Sequence, residues 1–208
     1  AVFKGLAISN TPDFLYAANV NAGKIDVYDG TWTAATLPGT FTDPQVPAGF
    51  APFNIQNLGG KLYVTYAKQD AAKHDDVGGP GNGYVAVFDL NGNLLQHLIS
   101  GGPLNSPWGL TIAPANFGEF SNALLVGNFR DGFINAFNAT TGAFLGAIQN
   151  PSGQPIINIG LWALQTGAGG NGGDATKVYF TAGISAGSGI QSHGLLGTIS
   201  VASNPGAP

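Results

Sequence analysis

Four segments of the chain repeat one pattern, an apolar β-type run that ends in polar turn residues. They are residues 14–19, 61–66, 123–128 and 177–182. A second apolar run of the same type follows each of them, at residues 24–29, 84–89, 133–138 and 195–200. The pattern recurs roughly every 50 residues, and one small sheet cannot bury its faces alone, so the repeat predicts the packed blades of a β-propeller.

Two further strands complete each predicted blade. Short apolar inner strands, suited to a crowded central axis, are predicted at residues 5–8, 53–55, 108–112 and 161–164. Outer strands are predicted at residues 33–41, 94–99 and 144–148. The pair Asn91-Gly92 before the second outer strand is the clearest hairpin signal in the chain. The fourth blade has no predicted outer strand.

The sequence therefore predicts an all-β protein, a β-propeller with four visible blades in one unit. The blades are expected at roughly residues 1–45, 46–104, 105–157 and 158–201, with a tail at 202–208. A propeller usually closes with a strand from its N-terminus, and only residues 1–4 precede the first inner strand. We therefore expect additional protein to complete the ring, either further N-terminal blades or a partner chain.

Composition narrows the classes of function. Only 9% of the residues are charged, whereas Gly numbers 33 and Pro 13, which favours turns and strands over long helices. The net charge of −4 disfavours nucleic acid, whose phosphates require a basic surface. The absence of Cys excludes thiolate sites. No apolar run reaches membrane-spanning length. Low charge and abundant small polar residues favour an exported protein.

The segment at residues 67–83 carries the densest chemistry. Its candidate metal ligands are Asp70, His74, Asp75 and Asp76. Carboxylates close together on a flexible loop suit Ca²⁺, whereas one His with Asp would suit Zn²⁺. No spacing here matches an EF-hand or a zinc motif. The alternative interpretation is that these carboxylates cap turns and remain solvated.

Other polar residues are predicted on the same face, where the loops between second and third strands and the segments between blades meet. The candidates are Asn54, Asn105, Asn128, Arg130, Asn158 and His193, of which the asparagines could ligate an axial Ca²⁺. Arg130-Asp131 has a tight turn as its simpler explanation. His193 is predicted near the end of a loop at residues 183–194, and a two-histidine site with His74 is conceivable.

The remaining notable side chains have structural explanations. Trp108 and Trp162 begin equivalent inner strands, so they are predicted to be core anchors rather than a platform for sugar rings. His97 is predicted to be a surface side chain of an outer strand. The sequence contains no Gly-x-Ser-x-Gly elbow, phosphate loop or dinucleotide fingerprint, so nucleophile chemistry has no support from motifs.

Four segments carry a resemblance: APFNIQN at residues 51–57, YAKQDAAKHDD at 66–76, NSPWGL at 105–110 and LVGNF at 125–129. They resemble an uncharacterised family of exported bacterial β-propellers that often end in a PEP-CTERM-type sorting tail. The resemblance implies a six-bladed ring, of which this chain would form the last four blades, and secretion directed by an N-terminal signal. It implies no reaction.

Two functions remain open from the sequence. The first is an extracellular, non-catalytic binding or scaffold propeller of a bacterial cell surface or secretome, which recognises a glycan, peptide or protein with its loop face. The second is a metal-dependent hydrolase or lactonase-like enzyme of the six-bladed type, using Asp or His residues of that face.

Overall fold

The computed structural model describes residues 1–185 and 191–202, and within them the chain is all-β. Four antiparallel sheets of three or four strands follow one another along the sequence, with two short 3₁₀ turns and no α-helix in the described residues. The chain divides into two compact units, Ala1–Trp108 and Gly109–Pro208. The division falls close to the predicted boundary between the second and third blades.

The first unit contains a three-stranded and a four-stranded sheet. The first sheet is formed by β1 (Phe3–Asn10), β2 (Asp13–Asn19) and β3 (Lys24–Asp29). The second sheet is formed by β4 (Phe50–Leu58), β5 (Lys61–Lys68), β6 (Tyr84–Phe88) and β7 (Leu94–Ser100). Each strand pairs with the next in sequence, as in the blade meander predicted from the repeat.

The second unit has the same two kinds of sheet in the opposite order. Its four-stranded sheet contains β8 (Pro107–Ile112), whose first two residues precede the division, β9 (Leu124–Asn128), β10 (Ile134–Phe137) and β11 (Phe144–Ala147). Its three-stranded sheet contains β12 (Leu161–Thr166), β13 (Val178–Ser185) and β14 (Gln191–Ile199).

Buried apolar side chains from successive sheets form the core of each unit. In the first unit, Tyr16, Phe41 and Phe88 are connected by ring contacts, with centroids 5.9 Å and 5.4 Å apart. In the second unit, Leu125 and Leu161 belong to one buried cluster. The cores lie between sheets, because each strand alternates its side chains between two faces.

The predicted hairpin at Asn91-Gly92 is confirmed. The Asp89 carboxylate accepts hydrogen bonds from the backbone N–H groups of Asn91 and Asn93, both at 2.9 Å. Gly92 has a φ of +80°, which is favourable only without a Cβ. This turn fixes the pairing of β6 with β7 and therefore the position of the outer strand.

The predicted outer strand at residues 33–41 is wrong. Only an isolated bridge between Tyr28 and Ala34 forms there. Pro38 lacks an N–H group for a sheet ladder, and a Cβ at Gly39 would collide with the Gly92 carbonyl carbon. The segment therefore runs irregularly and delivers the Phe41 ring into the core, where it is 7% exposed.

The predicted loop at residues 183–194 is also wrong at both ends. β13 continues through Ser185 and β14 begins at Gln191, so His193 lies in a strand, opposite Ile184. The middle of the predicted loop, residues 186–190, lies outside the described residues, as does most of the tail. The fourth sheet has three strands in the described part of the chain, as expected.

Candidate functional site

The long connection between β5 and β6, residues 69–83, is the most polar segment of the first unit. Its base is closed by a bridge between Gln69 and Asp76. The Asp70 N–H donates to the Asp75 carbonyl at 2.9 Å, and the Val77 N–H donates to the Lys68 carbonyl at 2.8 Å. These bonds fold the first half of the connection back on itself as a compact loop.

Contacts with β1 and with the turn after β2 hold this loop. The Nζ atom of Lys4, in β1, lies 3.1 Å from Oδ1 of Asp75. The Gln69 side-chain amide donates to the Val20 carbonyl at 2.6 Å. Both contacts join residues that are far apart in sequence, so they position the loop against the ends of β1 and β2.

Two further bonds hold the middle and the far half of the loop. The Asn21 side-chain amide donates to the Lys73 carbonyl at 3.3 Å. The Asn105 Oδ1 atom accepts the Gly79 N–H at 2.8 Å. Asn105, predicted as a binding residue, therefore positions this loop, which is fastened to three separate segments of the unit.

The predicted metal ligands differ in their hydrogen-bond partners and in their burial. Oδ1 of Asp70 accepts the His74 N–H at 2.8 Å, and this bond holds the pKa of Asp70 below its usual value. Partial burial opposes ionisation of Asp75, but Lys4 and the Asp76 N–H stabilise its carboxylate, and its pKa is lowered. Asp76 is buried and His74 is exposed. Among the described residues, no three His, Asp or Glu side chains form a metal-binding group. These contacts favour the turn-capping alternative, and the Ca²⁺ site stays a prediction.

Two of the other three predicted asparagines are buried within their own units. Asn54 is buried, and its amide donates to the Trp108 carbonyl at 2.6 Å. Asn128 is fully buried in β9. Asn158, in the second unit, is half-buried, and its N–H donates to the Gly132 carbonyl at 3.0 Å. The burial of Asn54 and Asn128 favours a structural role for both side chains, which the sequence pattern did not indicate.

Arg130 and His193 are exposed residues of the second unit. The Arg130 guanidinium carbon lies 5.4 Å from the centroid of the Phe129 ring, a cation–π contact. His74 and His193 belong to different units, so the two-histidine site stays a prediction.

The predicted aromatic anchors are less buried than expected. Trp108 and Trp162 are both half-buried, whereas Phe53 is 1% exposed. The Trp162 ring packs against Phe129, with centroids 4.5 Å apart. A packing role fits Trp162, although part of its ring reaches the surface.

The second unit contains a groove of about 590 Å³ next to its three-stranded sheet. Its walls are mainly apolar, with Phe117, Phe120, Ile148, Phe180 and Ile199 among the lining residues. This groove contrasts with the charged loop of the first unit, and no sequence motif indicated it.

A further polar cluster, in the first unit, is marked by no local sequence motif. Nδ1 of His97, in β7, lies 2.6 Å from Oδ2 of Asp43, and Nε2 of the same ring lies 2.6 Å from Oγ of Ser100. The Asp43 side chain is fully buried, and that of His97 is 10% exposed. The prediction that His97 is a surface side chain is therefore wrong, because β7 turns its ring towards the segment between the first two sheets.

Aromatic side chains surround this cluster. The Tyr84 and His97 rings have centroids 6.1 Å apart, and Phe50 packs edge-on against Tyr84 at 4.9 Å. Tyr66 is 5% exposed, and its hydroxyl has no hydrogen-bond partner among the described residues. Burial, and next the charge of Asp43, raise the pKa of Tyr66. The Asp43 carboxyl group therefore lies in a largely dry environment.

Sequence comparison connects the chain to viral proteins of unknown function. It is 37% identical over 186 residues to the uncharacterized protein R648 of Acanthamoeba polyphaga mimivirus, covering 87% of this chain and 44% of that protein. It is 34% identical over 187 residues to the uncharacterized protein L690 of the same virus, covering 88% and 48%. The chain thus spans less than half the length of these curated relatives. No family model matches the chain.

Structural comparison supports a propeller-like fold. A protein of unknown function from Bacteroides caccae matches with a TM-score of 0.52 and 9% identity, covering 93% of this chain and 60% of that one. Kuenenia stuttgartiensis hydrazine synthase matches with a TM-score of 0.53 and 14% identity, covering 86% and 43%. At such identities the likeness concerns the fold alone. The propeller-like all-β class is confirmed, and the six-bladed ring stays a prediction.

The relatives found are viral, and nothing in the comparisons supports the bacterial PEP-CTERM family. No helix in the described residues is both long enough and apolar enough to cross a membrane.

Proposed function

We propose that this chain is a binding or scaffold module that recognises a glycan, peptide or protein through the loop at residues 69–83. The observation that carries the proposal is the way this loop is held. Its backbone is fixed at Lys73 and Gly79 by side chains from other segments, while the Lys73 and His74 side chains are exposed. A loop that is ordered before binding loses less conformational entropy when a partner docks.

A second part of the proposal concerns completion of the ring. Phe3, Leu6 and Ile8 of β1 are 46%, 59% and 64% exposed, an uncommon concentration of large apolar side chains on one strand. A further blade, from a longer chain or from a partner protein, would bury them in a six-bladed ring. Low charge and abundant small polar residues support action outside the cell, in a secreted or surface-bound form. The bacterial family stays a prediction.

Binding to a printed glycan array and to a random peptide library tests the loop. We expect the double variant Lys73→Glu, His74→Glu to lose the glycan or peptide signals that the native chain gives. Both side chains are exposed on a backbone that is held in place, so they are available to contact a ligand. Lys61→Glu is the matched control, since Lys61 is exposed at the opposite end of β5. An EDTA arm tests the Ca²⁺ prediction.

Two results would reject the proposed loop face. One is that the double variant retains every signal of the native chain. The other is that Lys61→Glu weakens binding as much as the double variant does. For the exposed β1 face, Leu6→Lys with Ile8→Lys should abolish any association with an added blade or partner, as measured by sedimentation.

A further inference from the structure

The cluster of Asp43, His97 and Ser100 has the connectivity of a nucleophile, a base and an orienting carboxylate. We propose that these residues form a catalytic triad and that this chain hydrolyses carboxylic esters at Ser100. Both links are 2.6 Å long, so the hydroxyl lies within reach of the imidazole for proton transfer and the carboxyl group lies within hydrogen-bonding reach to orient it. The residues come from two segments, the connection after the first sheet and the end of β7.

The proton positions follow from the partners. A buried carboxylate only accepts hydrogen bonds when ionised, so the proton between Asp43 and His97 belongs to Nδ1 of the ring. In the neutral imidazole Nε2 is then an acceptor, and the Ser100 hydroxyl donates to it. This tautomer is the one in which His97 takes up the serine proton.

The carboxylate is itself held in place. Oδ1 of Asp43 accepts the Gln45 N–H at 2.9 Å, which leaves Oδ2 directed at the histidine. Exposure increases along the cluster, from the fully buried Asp43 side chain, through the 10% exposed His97 side chain, to the exposed Ser100. This gradient suits a triad, because the orienting carboxylate acts from a buried position and the nucleophile needs access to substrate.

Two glycines follow the proposed nucleophile. Gly101 and Gly102 follow it directly, with φ values of +54° and +60°. A Cβ placed on Gly102 would meet only the Ser100 carbonyl oxygen, at 3.9 Å, so the space beside it is open. The Gly102 N–H makes no backbone hydrogen bond among the described residues. It is the candidate donor for the oxyanion that forms on an attacked ester carbonyl.

The reaction proceeds in two balanced steps. Oγ of Ser100 bonds to the ester carbonyl carbon while its proton moves to Nε2 of His97, and the alkoxide leaves with that proton as an alcohol. Water then attacks the acyl-serine and gives a proton to Nε2, which returns it to Oγ as the carboxylic acid leaves. Asp43 stays ionised throughout and stabilises the imidazolium. One ester and one water become one acid and one alcohol, and no metal is required.

The triad lies close to the long loop but does not depend on binding there. Ser100 pairs with Tyr84 across β6 and β7, and the Gly101 N–H donates to the carbonyl of Gly83, the last residue of the loop. A chain without glycan or peptide binding could still hydrolyse an ester, and the converse also holds. The two proposals therefore fail separately.

A fluorophosphonate probe and p-nitrophenyl acetate test the triad on the whole chain. The probe forms a phosphonate ester with an activated serine and releases hydrogen fluoride, and peptide mass spectrometry identifies the modified residue. We expect labelling at Ser100 and ester turnover, both abolished in Ser100→Ala. His97→Gln should lower both rates by about 10²- to 10⁴-fold, the usual contribution of a general base. Ser152→Ala, at an exposed serine in a turn of the second unit, should change neither rate.

Folding and reactivity are measured separately in each variant. Ser100→Ala alters an exposed side chain, so its melting temperature should match that of the native chain, whereas Asp43→Asn alters a buried one. NMR of ¹⁵N-histidine chains should show the Nδ1–H tautomer at His97, which Asp43→Asn should disturb. A native chain that gives no adduct at Ser100, while a known serine hydrolase is labelled alongside, overturns the proposal. Ester turnover that survives Ser100→Ala also overturns it.

Discussion

The two four-stranded sheets, β4–β7 and β8–β11, share a strand order but carry different chemistry. In the first of these sheets, the second and third strands are joined by the charged loop at residues 69–83, and the outer strand holds the His97 contact with Asp43. In the second, residues 129–133 join the equivalent strands, and the outer strand presents the exposed apolar Phe144 and Leu145. The inner strands thus provide the scaffold in both sheets, while the loops and outer strands differ.

The largest expected effect tests the part that the two sheets share. Phe88 ends the third strand of the first sheet, Phe137 ends the third strand of the second, and both are fully buried or nearly so, at 0% and 1% exposure. Phe88→Ala and Phe137→Ala should each reduce the free energy of unfolding by about 3–5 kcal/mol, because each leaves a cavity in a core. Urea denaturation measures both values. A loss below about 1 kcal/mol in either variant would show that the scaffold is not equivalent in the two sheets.

The next effect tests the difference between the outer strands. His97→Ala removes a donor to the fully buried Asp43, so we expect a loss of about 1–3 kcal/mol, the cost of leaving a buried acceptor unsatisfied. Phe144→Ala in the other outer strand should cost less than about 1 kcal/mol, since its side chain is 52% exposed. Equal losses would contradict the idea that polar contacts anchor one outer strand and not the other.

Strand positions were largely predictable because alternation and turn residues are local signals. The predicted strand at 33–41 failed for a non-local reason, since Gly39 packs against the backbone at Gly92 and Phe41 enters a core that includes Phe88. The sequence showed β-type residues there, but it did not show that this segment would pack against the turn at Gly92 instead of pairing along β3.

The candidate sites were less predictable than the strands. The loop at residues 69–83 was identified because its charged residues are adjacent in sequence. The proposed triad was not predicted, because Asp43 lies in the connection after the first sheet, His97 lies in β7, and no local motif marks their contact. Ser100 lies three residues after His97, yet that spacing indicates a shared site only when the register of β7 and its neighbours is known.

A smaller effect tests how the long loop is held. Lys4→Ala removes the contact with Asp75 and should increase amide hydrogen exchange in residues 70–76, with a change in global stability below about 1 kcal/mol, as for other exposed ion pairs. Lys24→Ala removes another exposed contact, with Asp26, and should leave exchange in this loop unchanged. Similar exchange in the two variants would mean that the loop's backbone hydrogen bonds hold it without the Lys4–Asp75 contact.

The smallest expected effect is a loss of stability of the folded loop at residues 69–83 as the pH falls. Asp70 and Asp75 both have a pKa below the usual value of 3.8, so their carboxylates stabilise the folded loop fully above that value, and the contribution is lost as pH falls through the lowered pKa. In an NMR titration from neutral pH to about pH 3 or lower, we expect backbone amide signals of residues 70–76 to shift at the acid end. Asp75→Asn should remove the Asp75 part of that response and leave the part from Asp70. Signals of β12, Leu161–Thr166, are the internal control, since this strand contains no titratable side chain. A loop response centred well above pH 4 would show that raised, not lowered, pKa values govern the loop, and would contradict its anchoring by ionised Asp70 and Asp75.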